Sequence, residues 1–433
     1  MPEAQLQQKM NLPQEKKLIY IVATGCHENF MDAALVRTYF TELNDFQVCD
    51  SYKEADIIVI LGCSVHQLME DQTREMIDYI NEHKSRNAEV VVAGCISKVR
   101  PEFAPRDGIG KAILEDIDEL IRFEGKGKEP AVHCAYDGVT PDLAIALSER
   151  RKAFFGQYYN RDQSGLMQSL LNPAFSGLYD LMKRYKDFFE SRIDVFNDKT
   201  YCIKISTGCL GQCSYCSIKQ SRGRIKSMPM DNILVGFHQG LAQVFKHFVL
   251  LGTDLGDYGR DIGLDLCDLL ESLVCINEDF KIKLRNVNPR WLIPNWPRFR
   301  TILESGKISY LRSPIQSGNN RILELMKRGY HVEEFSKIAR EIHNRFPFIF
   351  LTTDIIVGFP TETETEFQDS LEISPIFDYA VVFRYTKRPN TLASLLEPEV
   401  PQDVIVRRYR KILLRSLFNN PWRKVQAIYR LNS

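Results

Sequence analysis

The stretch Ser206–Arg224, "STGCLGQCSYCSIKQSRGR", places Cys209, Cys213 and Cys216 within eight residues, directly after the apolar run "YCIKI". Three thiols so close behind a β-branched run call for a metal, because a disulfide uses cysteines in pairs. A structural zinc site wants four tetrahedral ligands, usually as two close pairs. No second pair lies nearby, and neither Cys202 nor His238 has the expected spacing to complete the set. Thiolates also hold iron–sulfur clusters, and a 4Fe–4S cube has four irons to ligate. Three cysteine ligands leave one iron open, which marks a site that binds something else.

Outward from this stretch, short apolar runs alternate with helical patterns: "YCIKIST", "HFVLLGT", "KIKLRNV", "YLRSPI", "FIFLTTDIIVGF" and "YAVVFRYT". Six strands alternating with helices predict a parallel (β/α)6 barrel, closed or partial. Such barrels carry their chemistry at the carboxyl ends of the strands, which is where the three cysteines fall. Upstream, "KLIYIVATGC", "ADIIVILGC" and "EVVVAGC" repeat one design, a β-branched run closed by Gly-Cys at Cys26, Cys63 and Cys95. The helical stretches between them, "ENFMDAALVRTYFTEL" and "HQLMEDQTREMIDYINEH", are long enough to cross between parallel strands. An N-terminal βαβ parallel-sheet domain follows, and its strand ends bring the three cysteines together into a second cluster site. A lone cysteine is more often a small buried hydrophobe, but three repeats of one placement favour ligation.

The chain has 433 residues and 11 cysteines. No apolar run reaches the roughly 18 residues that span a bilayer, and the opening "MPEAQLQQKMNLPQEKK" has no secretory leader pattern, so a cytoplasmic protein is expected. Lys plus Arg and Asp plus Glu both number 56. This balance announces neither nucleic acid nor a membrane surface. The composition of "RFEGKGKEPAVH" suggests a boundary near residue 125. Domains are therefore expected over residues 1–125 and 199–433, with a helical linker over 126–198. Within that linker Leu178, Leu181, Met182, Tyr185, Phe188 and Phe189 have helical spacing.

Cys-x3-Cys-x2-Cys with Tyr215 before the last cysteine resembles the signature of radical S-adenosylmethionine (SAM) enzymes. "VLLGTDLGDYGRD", "SPIQSGNNRILELMKRGY", "TTDIIVGFPTETETEFQDS" and "FRYTKRPNTLAS" narrow the resemblance to the radical-SAM methylthiotransferases, which also carry an amino-terminal three-cysteine domain. The resemblance implies two 4Fe–4S clusters. The barrel cluster, on Cys209, Cys213 and Cys216, binds SAM and cleaves it to a 5′-deoxyadenosyl radical. The auxiliary cluster, on Cys26, Cys63 and Cys95, offers sulfur that a second SAM methylates. Cofactor contacts are implied for Tyr215, for Gly252 and Thr253 after the second strand, for Gln316 and Ser317 after the fourth, and for Ile356, Val357 and Gly358 at the fifth. No single side chain is singled out as a catalytic acid or base. A flavodoxin- or ferredoxin-type reductant is implied as a partner.

The chain departs from the family pattern in two places. Where the family has Asn-Thr-Cys and an Arg three residues on, this sequence reads "LGCSVHQ", with Leu61, Gly62 and His66 at those positions. The small β-barrel that family members append to engage tRNA or a ribosomal protein has no counterpart in "VIVRRYRKILLRSLFNNPWRKVQAIYRLNS", which reads as helical. Arg407, Arg408, Arg410, Lys411, Arg415, Arg423, Lys424 and Arg430 make this tail basic, while Ile405, Tyr409, Ile412, Leu413, Leu417 and Trp422 give it an apolar face. Charge balance and the missing barrel favour a peptide or protein substrate docked on the middle segment or the first sheet. Methylthiolation of a tRNA base, sulfur insertion without methylation, and a non-catalytic iron–sulfur protein are the competing readings. Arg222 and Arg224 either meet an anion bidentately or form a solvated turn.

Overall fold

The computed structural model describes residues 16–65, 67–123, 143, 147, 199–419 and 421–432. His66 and the helical spacing expected at 178–189 lie outside the described residues. The first domain opens with β1 (Lys17–Ala23), α1 (His27–Glu42), β2 (Phe46–Val48), β3 (Ile57–Gly62), α2 (Gln67–His83), β4 (Glu89–Gly94), α3 (Cys95–Val99) and α4 (Gly108–Ile121). Its sheet has the order β2-β1-β3-β4 and every pairing is parallel. A parallel sheet covered on both faces selects continuous Val and Ile runs. β3 accordingly is "IIVILG" and buried at all its positions. The register sets Ala23 against Leu61 and Gly62 against Gly94, so Cys63 and Cys95 leave the sheet at one level. The predicted strands and crossover helices are all present. Sequence analysis did not foresee β2, a three-residue edge strand, or α4, whose Ile113, Leu114, Ile117 and Leu120 join the sheet's core.

The second domain contains β5 (Thr200–Lys204), β6 (Ser206–Thr207), α5 (Ile218–Arg222), β7 (Lys226–Ser227), β8 (His247–Leu251), β9 (Lys281–Leu284), β10 (Ile308–Arg312), β11 (Phe350–Val357) and β12 (Tyr379–Arg384). The six predicted strands form one sheet in the order β12-β11-β10-β9-β8-β5, all parallel, with helices Met230–Ala242, Leu266–Val274, Trp296–Glu304, Val332–Arg345 and Glu364–Ile373 between successive strands. Among the described residues no pairing joins β5 to β12, so the barrel is partial. Strand side chains alternate between faces. One set packs against the surrounding helices as the large core. The other set includes Cys202, Val249, Leu251, Tyr310, Phe350 and Tyr379, and Met31 of α1 and Leu417 of the C-terminal helix pack among them.

The two domains are locked by charge. Lys204 Nζ donates to Asp32 Oδ1, and Arg222 Nη2 lies 2.9 Å from Asp32 Oδ2; Asp32 and Lys204 are fully buried. Thr253 Oγ1 donates to Glu28 at 3.0 Å, and Arg285 Nη1 is 3.0 Å from His27 Nδ1. A second lock holds the far side. Glu70, itself buried, receives Arg388 from the barrel together with Arg74 and Arg100 at 3.0 Å each. Burial pushes the Glu70 carboxyl up, but hydrogen bonds and charge, chiefly from Arg388, outweigh it and hold the group down at about 2.

The C-terminal stretch is helical as expected, but it forms two helices, Gln402–Phe418 and Pro421–Asn432. Proline has no N–H and clashes with the preceding turn, which separates them at Pro421. The predicted apolar face therefore does not run through. Ile405, Ile412 and Leu417 are buried, whereas Trp422 is 73% exposed. Nor is the basic tail a free cationic stripe: Arg408 is buried against Glu362, Arg423 pairs with Asp378, and Lys424 donates to the carbonyls of Ser416, Leu417 and Asn419.

Breaking a buried ion pair leaves an uncompensated charge and costs about 3–5 kcal/mol. Asp32→Ala strands both Lys204 and Arg222 and is expected to lose at least that much in urea unfolding. Asp50→Ala, at the exposed pair with Arg37, serves as the control and should cost less than about 1 kcal/mol.

Candidate active site at the domain interface

The first triad is built by three strand ends. Cys26 is the N-cap of α1, Cys63 follows β3, and Cys95 opens α3. Glycines let the chains meet: a Cβ on Gly25 would stand 2.7 Å from Cys63 Sγ, and Gly94 has φ of +79°. The Leu61-Gly62 departure has a packing reason, because a Cβ at Gly62 would lie 2.5 Å from Ile96 and 2.6 Å from Thr73. The Cys63 N–H is held by the hydroxyls of Thr24 and Thr73, which are 2.7 Å apart. The Cys26 thiol donates to the Cys63 sulfur, which raises Cys26 and lowers Cys63, while burial pushes Cys95 up.

The second triad lies on the loop after β5. Each of its sulfurs receives an N–H: Gly211 N to Cys209 Sγ at 3.1 Å, Ile218 N to Cys216 Sγ at 3.4 Å, and Arg328 Nη1 to Cys213 Sγ at 3.3 Å. This pattern suits thiolates, which accept and do not donate. Burial pushes the Cys209 thiol up, with Asp254 and Asp257 adding to it, and burial pushes Cys216 up to about 12. Protonated thiols at neutral pH become ligands when metal binding displaces their protons to solvent. Among the described residues, ligand atoms close enough to grip one ion occur only at Cys209, Asp254 and Asp257. A guanidinium already serves those carboxylates, since Arg290 Nη2 is 2.7 Å from both oxygens of Asp257 and 3.3 Å from Asp254. Burial and the neighbouring Asp257 raise Asp254 to about 6 against the pull of Arg290. Neither cysteine triad is drawn in around a single ion, and a cluster, which gives each thiolate its own iron, asks for that wider spread.

The remaining predicted residues divide. Tyr215 packs with Ile356, Phe359 and Ala393, and its hydroxyl is 3.4 Å from Arg328. Gln316 takes φ of +71°, its backbone bridges Asp354 and Ile356, and its buried Oε1 makes no hydrogen bond. Gly252 has no room for a side chain, with Ser206 Oγ 2.5 Å from its Cβ position. Other predicted contacts are engaged inside the protein. Ser317 is fully buried beside Ser370, Thr253 donates to Glu28, and the Gly358 N–H donates to Glu362 at 2.7 Å. Val357 is a buried strand residue. Sequence analysis singled out neither Asp254, Asp257 and Arg290 nor Arg328 and Arg388, although all but Arg290 sit inside segments quoted for the resemblance. Arg222 proves to be no solvated turn: it is buried on Asn29 and Asp32 across the interface, whereas Arg224 is exposed.

The two triads approach through α5. This helix follows Cys216 and packs against α3, which begins at Cys95. Ser217 Oγ lies 3.4 Å from the Ser64 carbonyl, and Arg388 donates to the same carbonyl at 2.9 Å.

Comparison with known proteins agrees with this layout. Residues 203–373 match the radical SAM superfamily, and residues 18–109 match the uncharacterized protein family UPF0004. The probable threonylcarbamoyladenosine tRNA methylthiotransferase of Pyrococcus horikoshii is 28% identical over 90% of this chain and 82% of its own length. Threonylcarbamoyladenosine tRNA methylthiotransferase MtaB of Aquifex aeolicus is 28% identical over 94% and 88%. The tRNA-2-methylthio-N(6)-dimethylallyladenosine synthase of Carboxydothermus hydrogenoformans is 27% identical over 92% and 83%. Among solved structures, the radical SAM methyltransferase TsrM of Kitasatospora setae superposes with a TM-score of 0.50 at 12% identity, over 88% of this chain and 77% of that one, and shares the fold. The paired family matches, relatives similar over most of both chains and two cysteine triads on a parallel α/β frame all support the radical-SAM methylthiotransferase family, whose members work with two 4Fe–4S clusters and SAM.

Proposed function

We propose that this enzyme places a methylthio group on a tRNA adenosine carrying an N6-threonylcarbamoyl group. In this reading Cys209, Cys213 and Cys216 hold the SAM-binding cluster, and Cys26, Cys63 and Cys95 hold the auxiliary one. The observation that carries the reading is the meeting of the two triads across α5, which brings radical formation and sulfur delivery to one interface. When bound, the cofactors supply a 5′-deoxyadenosyl radical that takes hydrogen from a C–H bond, and a sulfur atom that replaces it and is methylated.

The chain's own residues prepare that site. Arg328 ties Cys213 to Tyr215, whose ring joins Ile356 and Phe359 in an apolar wall suited to a nucleoside base. The unbonded Gln316 Oε1 offers an acceptor near that wall. Arg290 and the two aspartates orient the Cys209 turn, because Asp257 accepts the Leu210 N–H at 2.7 Å. The docked α1 excludes water from the barrel's inner face. Residues 1–125 form the sulfur-delivery unit and 199–433 the radical-forming unit. A flavodoxin- or ferredoxin-type protein in the cytoplasm supplies electrons. Among the described residues no helix is long and apolar enough to cross a membrane.

The substrate assignment rests on the relatives, which are named for tRNA adenosines and in most cases for the threonylcarbamoyl form. The peptide expected from charge balance has no counterpart among those names. Transfer RNA from cells expressing the enzyme is expected to contain a methylthiolated adenosine by nucleoside mass spectrometry; a modified peptide beside unmodified tRNA would overturn the assignment.

Cluster assignment is tested separately. Anaerobically reconstituted wild-type protein should bind two clusters' worth of iron and sulfide. Replacing either triad with Ala should remove half, and full retention by either variant rejects that triad as a ligand set. The Cys26, Cys63 and Cys95 variant should still convert SAM to 5′-deoxyadenosine while forming no methylthio product. Hydrogen bonds to cluster sulfurs raise the reduction potential, so Arg328→Met should lower that of the barrel cluster without changing iron content, as read by a redox titration.

A further inference from the structure

We propose that Arg222 is the barrel's anion-binding residue for the first triad, holding a hydrosulfide-class sulfur anion there, so that the sulfur-delivery site is complete only with the two domains docked. The inference rests on the sulfur-donor role given above to Cys26, Cys63 and Cys95.

Arg222 ends α5, six residues after Cys216, and its side chain crosses the interface with 4% of it exposed. One arm is fully used: Nη2 donates to Asn29 Oδ1 at 2.9 Å and pairs with Asp32 Oδ2 at 2.9 Å. The other arm is not. Nη1 is buried and makes no hydrogen bond, and Glu28 Oε2 stands 3.5 Å away, outside good hydrogen-bond range. Glu28 is itself drawn the other way by the Thr253 hydroxyl. Nη1 thus has the Glu28 charge at ion-pair distance but no hydrogen bond, and a buried donor without one is costly, so the position favours an acceptor that arrives with the ligand. Its surroundings name the ligand's place. Arg222 ends the helix that packs against α3, which begins at Cys95, and its anchored arm holds Asn29, three residues after Cys26. With its three thiolates on a cluster the first triad carries a net negative charge, and a fixed cation beside it favours entry of a further anion. Arginine serves this better than lysine because its fork keeps one arm anchored on Asp32 while the other faces the ligand.

The test uses anaerobic holoenzyme with excess SAM, which fills the barrel cluster's open iron. Sodium sulfide is then titrated while the electron paramagnetic resonance of the reduced auxiliary cluster is followed. The wild type is expected to show a saturable shift. R222Q should need at least tenfold more sulfide, R222K an intermediate amount, and E28Q, which removes a nearby negative charge, no more than the wild type. If the wild type responds and R222Q titrates identically, the Arg222 assignment falls alone. If the wild type does not respond, the sulfur-donor reading itself falls. Should R222Q lose its clusters, R222K and E28Q decide: R222K matching the wild type, with E28Q weaker than it, overturns the proposal.

Discussion

The buried carboxylate of Asp32 is the contact on which the rest depends. It sits on the helix that begins at Cys26, and it receives Lys204 from the first barrel strand and Arg222 from the helix that follows Cys216. Taking two cations and a carboxylate out of water is expensive, and the cost is offset only where each is paired in good geometry. That condition is met in one relative placement of the domains. The ion cluster therefore acts less as a source of net stability than as a setting of register: it fixes where Cys26 stands relative to Cys216.

A second lock makes the placement a plane instead of a hinge. Arg388, beyond the last barrel strand, reaches the Ser64 carbonyl and hydroxyl and the buried Glu70. Asp32 lies behind Cys26, and Ser64 lies behind Cys63. One lock thus holds the helix that starts at Cys26 and the other the residue next to Cys63, and both leave the sulfurs for their ligand. The same economy appears in the barrel, where backbone N–H groups and Arg328 point at the three sulfurs.

The sequence departure at Leu61-Gly62 changes how the Cys63 turn is supported without removing support. Ile96 and Thr73 close over Gly62 so tightly that a side chain there would displace them. In exchange, the Thr24 and Thr73 hydroxyls hold the Cys63 N–H. Packing by Ile96 and Thr73 and hydrogen bonding by Thr24 and Thr73 support the turn in place of a local Asn-Thr pair.

By itself, the sequence determined both sheets, the place of all six cysteines at strand ends, and the chemistry these imply. Those features are written in local patterns: unbroken Val and Ile runs, Gly-Cys endings and close cysteine spacing, each of which acts over a few residues. It left β2 unread because a three-residue half-exposed strand carries little periodic signal; α4 went unread although Ile113, Leu114, Ile117 and Leu120 recur at helical spacing. It misjudged the C-terminal tail, where a count of arginines does not reveal that Arg408, Arg423 and Lys424 have partners 5 to 80 residues away in the chain. Only the tertiary structure decided which charges belong to the site. Lys204 and Asp32 are 172 residues apart, and Arg388 and Glu70 are 318 apart. No spacing rule reaches that far, since such pairs exist only once both domains have folded and excluded water from between them.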